Sequence, residues 1–113
     1  MHEMMVADSL LQILLKESQG HGKPLGVRIS CGQLNAINEE ALAFALEVLA
    51  KGTVCEGIRL EVEQKPLQAR CGACGRIYGV SDHQVLCPGC GSSDFQLLPD
   101  APLVLETIEF EEA

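Results

Sequence analysis

The sequence predicts an α+β fold. Three observations predict it: two segments whose apolar residues recur with the helical period, three runs whose apolar residues fall on alternate positions, and a cysteine-rich stretch between the second and third of those runs.

Residues 3–19 read as an amphipathic helix. Ala7, Leu10, Leu11 and Leu14 fall at i, i+3, i+4 and i+7, and Met4, Val6, Ile13 and Leu15 broaden the apolar face. Gly20 and Gly22 then stop it. Residues 25–31 alternate, with Leu25, Val27, Ile29 and Cys31 on one side and Arg28 and Ser30 on the other, as expected of a strand with one buried face. A second helix follows. Asn38 is placed to cap it, Glu39 and Glu40 put negative charge in its first turn, and Leu42, Ala45, Leu46 and Leu49 form its apolar stripe before Gly52. In the second strand Ile58, Leu60 and Val62 alternate with Arg59, Glu61 and Glu63 until Pro66 closes the run. The last strand spans about 103–110, with apolar Leu103, Leu105, Ile108 and Phe110. Its parity changes between Leu105 and Ile108, which predicts a β-bulge near Glu106–Thr107.

Residues 67–98 differ in composition, being rich in glycine and poor in aliphatic side chains, with no helical period. They contain Cys71-Gly-Ala-Cys74-Gly75 and, twelve residues on, Cys87-Pro-Gly-Cys90-Gly91. Two cysteines three apart present both sulfurs to one ion across a tight turn. A following glycine tolerates positive φ and lets the backbone pass near the metal, and Pro88 stiffens the second turn. The intervening Arg76–Leu86 reads as a hairpin that brings the halves together. Cys71, Cys74, Cys87 and Cys90 therefore form a candidate closed, tetrahedral zinc site with no open position for a substrate water. A redox Cys-x-x-Cys is usually single and lies near a βαβ pattern. Iron also accepts four sulfurs, but the scarcity of aromatic residues gives no hint of electron transfer. The fold read from these elements is two helices packed on a three-stranded sheet, with an inserted four-cysteine zinc-ribbon module. The last strand must pair back into the main sheet, since alone it would expose an apolar face and both edges. The expected domains are an α+β domain of residues 1–66 plus 99–113, and a zinc-binding domain of residues 67–98.

Composition narrows the function. The 113-residue chain suits one small domain carrying a smaller module. No apolar run is long enough to cross a bilayer. Acidic Glu3 and Asp8 stand where a secretory signal would carry positive charge, so a cytoplasmic location is expected. In that compartment thiols stay reduced, which favours metal over disulfides for the paired cysteines. The formal charge of −8 and the presence of only Arg70 and Arg76 as strong bases within the cysteine module argue against nucleic-acid binding. Cys31 reads as a buried small hydrophobe, Cys55 has no evident partner, and His83 reads as solvated. No Ser-His-Asp set, phosphate-binding glycine loop or open zinc points to an enzyme.

The chain begins Met1-His2-Glu3. Initiator methionine is normally kept before a residue as large as histidine. The terminal amine of Met1, the deprotonated amide of His2 and its imidazole can close adjoining chelate rings on one metal, and the amide of Glu3 can supply a fourth nitrogen. Square-planar nitrogen ligation selects Ni(II) or Cu(II). A second-position histidine also reads as an exposed residue on a frayed end, so this chemistry alone leaves both readings open. Asn38, Glu39 and Glu40 come within reach if the second helix begins nearby.

Met1-His2-Glu3 opening an amphipathic helix, Gly32-Gln33-Leu34 after a strand, the helix Glu39–Leu49, the doubled Cys-x-x-Cys and the closing Leu103-x-Leu105-x-x-Ile108-Glu109-Phe110 together resemble the HypA family of hydrogenase nickel-incorporation proteins. The resemblance covers essentially the whole chain. It implies Ni(II) held in the region of Met1, His2 and Glu3, and a structural Zn(II) at Cys71, Cys74, Cys87 and Cys90. It also implies delivery of nickel to the [NiFe]-hydrogenase large subunit and a HypB-type GTPase as partner. Gln33 stands where the family usually has Glu, and Cys31 precedes the glycine; neither departure touches the metal motifs. The reading set against it is a zinc-ribbon interaction module with no nickel role, or a thiol–disulfide enzyme using Cys71 and Cys74.

Overall fold

A computed structural model describes residues 2–35 and 37–112. The elements run α1 (Glu3–His21), β1 (Pro24–Gly32), α2 (Glu39–Ala50), β2 (Arg59–Lys65), β3 (Leu67–Cys71), β4 (Ile77–Val80), β5 (Phe95–Leu97) and β6 (Val104–Phe110). The described residues form two compact units, one of residues 2–30, 37–63 and 104–112, the other of 31–35 and 64–103. The α+β class with an inserted cysteine module holds. The segment 31–35, which the sequence reading grouped with the helices, clusters with the cysteine module.

In the first unit the sheet order is β2-β1-β6, so the last strand does return to pair with the first, antiparallel. Closing the sheet this way puts β1 at its centre. Arg28 faces Thr107 and Ile29 faces Leu105, leaving Glu106 as the extra residue of the expected bulge. A second irregularity lies between Pro24 and Gly26. Alternation put Ser30 on the exposed side, but it is buried, and its hydroxyl donates to Oε1 of Glu106 at 2.6 Å. The bulge brings that carboxylate to a hydroxyl that would otherwise lose its water without replacement.

The helices form where the apolar stripes predict. α1 runs through Gly20 and ends at His21, where Gly22 takes φ +98° and its N–H returns to the carbonyl of Ser18. One helical glycine costs about 1 kcal/mol relative to alanine, too little to end a helix anchored by its buried Ala7, Leu10, Leu11 and Leu14. Asn38 caps α2, its side chain accepting from the N–H of Ala41 at 3.0 Å. Leu10, Leu11 and Leu14 of α1, Leu42, Ala45 and Leu46 of α2, and Val27 and Ile29 of β1 are buried and supply the core. Burying each of the larger side chains is worth roughly 1.5–3 kcal/mol.

In the second unit β3 lies between β4 and β5, antiparallel to both. The hairpin is not the one expected over Arg76–Leu86. Here β3 pairs with β4, and the first cysteine turn closes the loop between them. Beyond Val80 only the bridge Ser81–Gln84 continues it. The reason is burial. Pairing Tyr78 against Ala69 covers the tyrosine, whereas Ser81–Gln84 has no apolar residue to bury. The unit's core is small: Ala69, Cys71, Tyr78 and Cys87, with Val80 and Phe95 packed against it.

Candidate metal sites

The two Cys-x-x-Cys turns repeat one geometry. The N–H of Gly75 returns to the carbonyl of Cys71 at 3.0 Å, and that of Gly91 to the carbonyl of Cys87 at 2.8 Å. Both glycines adopt positive φ, +79° and +73°. The N–H of Cys71 donates to the carbonyl of Arg76 and that of Cys87 to the carbonyl of Ser92, closing each loop in the same way. The first cysteine of each pair is buried and the second exposed. All four sulfurs lie within 4.8 Å of one another. Cys71 and Cys90 approach to 3.5 Å, Cys74 and Cys87 to 3.6 Å. Tetrahedral zinc with Zn–S bonds of ~2.3 Å places its sulfurs ~3.8 Å apart. The donor set and its spacing thus fit a closed four-thiolate metal site.

The electrostatics favour the same chemistry. The N–H groups of Cys74 and Ala73 both point at Sγ of Cys71 at 3.4 Å and bring its thiol down to about 6, the Cys74 amide contributing most. Burial works against ionisation of Cys87, but the amides of Cys90 and Gly89 hold it below the usual thiol range. At Cys90 the Ser92 amide pulls downward, yet the neighbouring Cys71 sulfur, burial and the other thiolates push it up to about 12. Four negative sulfurs this close do not ionise together unless a cation joins them. Tyr78 braces the site: its hydroxyl donates to the carbonyl of Val85 at 3.0 Å, and its ring meets Phe95 edge-on at 6.5 Å. The same burial raises its phenol above the usual range. Sequence reasoning passed over this pair; the signal was the lone tyrosine in a chain with three phenylalanines.

At the other candidate site, Met1 lies outside the described residues. His2 is exposed, extended in conformation, and caps α1 through its backbone, its carbonyl accepting from the N–H of Val6 at 3.1 Å. Its imidazole makes no capping bond. Glu3 is the first helical residue, so its N–H lies outside the helical ladder. The carboxylate of Glu3 accepts from the N–H of Asn38 at 3.2 Å, and that bond holds its pKa below 4.5. The starts of α1 and α2 are therefore joined. Of the three side chains named as possible helpers, Asn38 is engaged with Ala41 and Glu39 accepts from the N–H of Val62 at 3.3 Å, while Glu40 is exposed. Cys31 and Cys55 are both buried, and burial pushes the Cys55 thiol up. His83 is exposed. Among the described residues, no helix is long and apolar enough to cross a membrane.

Residues 1–110 match a family model described as hydrogenase/urease nickel incorporation, metallochaperone, HypA. A hydrogenase maturation factor HypA of Acidithiobacillus ferrooxidans is 35% identical, the alignment covering 98% of this chain and 100% of that protein. One from Geobacter sulfurreducens is 30% identical over the same shares of each chain. In fold the chain is similar to the solution structure of the Ni metallochaperone HypA from Helicobacter pylori, with a TM-score of 0.61, 19% identity and 97% of each chain covered. A match spanning residues 1–110, together with full-length relatives at this level of identity, shows that the chain belongs to the HypA family of nickel-incorporation metallochaperones.

Proposed function

We propose that this protein captures Ni(II) at its N-terminus and hands it to the [NiFe]-hydrogenase large subunit, in partnership with a HypB-type GTPase in the cytoplasm. Its task is transfer, not catalysis. The amine of Met1, the amide and imidazole of His2 and the amide of Glu3 hold the metal. One observation carries this reading: α1 begins without using the groups nickel would need. The His2 imidazole makes no capping bond, and the N–H of Glu3 lies outside the ladder. Giving either group to a metal costs no helical hydrogen bond. The bond from Asn38 to the Glu3 carboxylate steadies the backbone of that residue without occupying its nitrogen.

Cys71, Cys74, Cys87 and Cys90 hold a structural Zn(II). When bound, the ion supplies the cross-link between the two turns, and with its four sulfurs it presents no vacant position. Such sites contribute about 10–16 kcal/mol of binding free energy at neutral pH, which the small core around Tyr78 could not supply.

Titration of tag-free protein with a native Met1 tests the nickel site. One equivalent of Ni(II), seen by calorimetry and visible absorption and lost in His2→Ala with zinc retained, is the expected result. Equal nickel affinity in the variant would refute the site. No nickel binding in either protein would leave a zinc-ribbon interaction module.

A further inference from the structure

Four thiolates on one dication leave a centre of charge −2, and the chain places different charges beside its two halves. A β-carbon on Gly89 would meet Nη1 of Arg76 at 2.8 Å and Cδ at 3.3 Å, with Sγ of Cys87 at 3.7 Å from the same point. The guanidinium therefore lies against the bare backbone of the second turn, at the same glycine that the Cys87 sulfur approaches. No ion pair with Asp or Glu holds it there among the described residues. The first turn has the opposite neighbour. A β-carbon on Gly72 would meet Oδ2 of Asp94 at 2.4 Å, and the N–H of Gly72 donates to the Asp94 carbonyl at 2.8 Å. Glycine in each turn leaves room for the charged group to approach.

We propose that Arg76 is a positioning residue for the zinc site, the counter-cation of the Cys87–Cys90 turn. This rests on the zinc reading given above. A cation at that place favours negative sulfur on its own side of the centre. Arg70, the other strong base of the module, lies on β3 outside both turns.

The test uses the full-length zinc-loaded protein. Metal analysis of the wild type and of Cys74→Ala comes first; absence of bound zinc in the wild type would sink the zinc reading itself. With zinc present, its transfer to a chromophoric chelator is timed at low and high salt, and alkylation of each cysteine by iodoacetamide is followed by mass spectrometry. Arg76→Ala should speed transfer roughly fivefold at low salt, near the low end of supporting-residue effects because the guanidinium is exposed. The difference should shrink at high salt, as a charge effect must. Arg76→Lys should restore most of the wild-type rate, and Arg70→Ala should change it little. Gly89→Ala, which keeps the N–H to Cys87 but displaces the guanidinium, should resemble Arg76→Ala. Cys90 should be alkylated faster in Arg76→Ala than in the wild type. Unchanged transfer in both Arg76→Ala and Gly89→Ala, or an acceleration that Lys does not rescue and salt does not alter, would overturn the role of Arg76 while leaving zinc in place. Alkylation of Cys90 at an unchanged rate in Arg76→Ala would also overturn it.

Discussion

At the start of α1, Glu3 serves two purposes through different atoms, and substitutions there separate them. Its carboxylate anchors α2 through the N–H of Asn38, while its amide is one of the proposed nickel ligands. Glu3→Gln should therefore leave nickel stoichiometry unchanged and weaken the tie between the helices. The sign follows from the lowered carboxyl pKa: the contribution is fully present above the ordinary 4.5 and is lost as pH falls through the lower folded value. Thermal melts of wild type and Glu3→Gln should differ near pH 7 and converge in acid; a constant gap at all pH values would exclude the ionised carboxylate as the cause.

Single elements carry their own tests. The Asn38 cap of α2 should be worth about 1 kcal/mol, so Asn38→Ala should lower stability by that much in denaturant melts without altering the fold. The segment after β1 is pinned more tightly. The N–H of Gly32 donates to the carbonyl of Ala101 at 2.9 Å, and the N–H of Asn35 to Oδ2 of Asp100 at 2.8 Å. A β-carbon on Gly32 would stand 2.0 Å from Oδ1 of Asp100, which has no hydrogen-bond partner among the described residues. Gly32→Ala should cost roughly 1–3 kcal/mol by overpacking. The double variant Gly32→Ala with Asp100→Ala should recover part of it, and strict additivity of the two losses would rule out the contact as the cause. Here lies a structural reason for the Gly32-Gln33-Leu34 motif: the glycine seats the loop on Asp100, and Leu34 is left exposed. The bulge at Glu106 belongs to the same scale, since the extra residue is what delivers a carboxylate to buried Ser30.

For the molecule as a whole, the two units draw on different sources of stability. The first has a core of leucines, isoleucine and valine from two helices and a sheet, while two of the four core residues of the second are themselves candidate metal ligands. Removing the metal should therefore loosen the second unit first. Hydrogen exchange after chelation should rise over residues 67–98 while the amides of α1 and α2 stay protected; a uniform loss of protection would show that the units do not unfold separately. Acid should act the same way, because each thiolate must be reprotonated to leave the metal.

What the sequence determined by itself is whatever depends on local period and spacing. Apolar residues three and four apart specify α1 and α2, alternation specifies β1 and β2, the change of parity after Leu105 specifies the bulge, and the doubled Cys-x-x-Cys specifies a closed four-sulfur site. These are properties of a few consecutive residues, and the backbone has little freedom to express them otherwise. Tertiary structure decided what depends on residues far apart in the chain. It placed β1 at the centre of its sheet and set Glu106 beside Ser30, which is buried although alternation had turned it outward. It chose Ala69, not a residue of the 81–86 loop, as the partner of Tyr78, because only that pairing covers the ring. It joined Glu3 to Asn38, set Asp100 against Gly32, and laid Arg76 and Asp94 over the two glycine turns. Contacts of that kind are fixed by which surfaces burial forces together, and no local period or spacing in the sequence announces them.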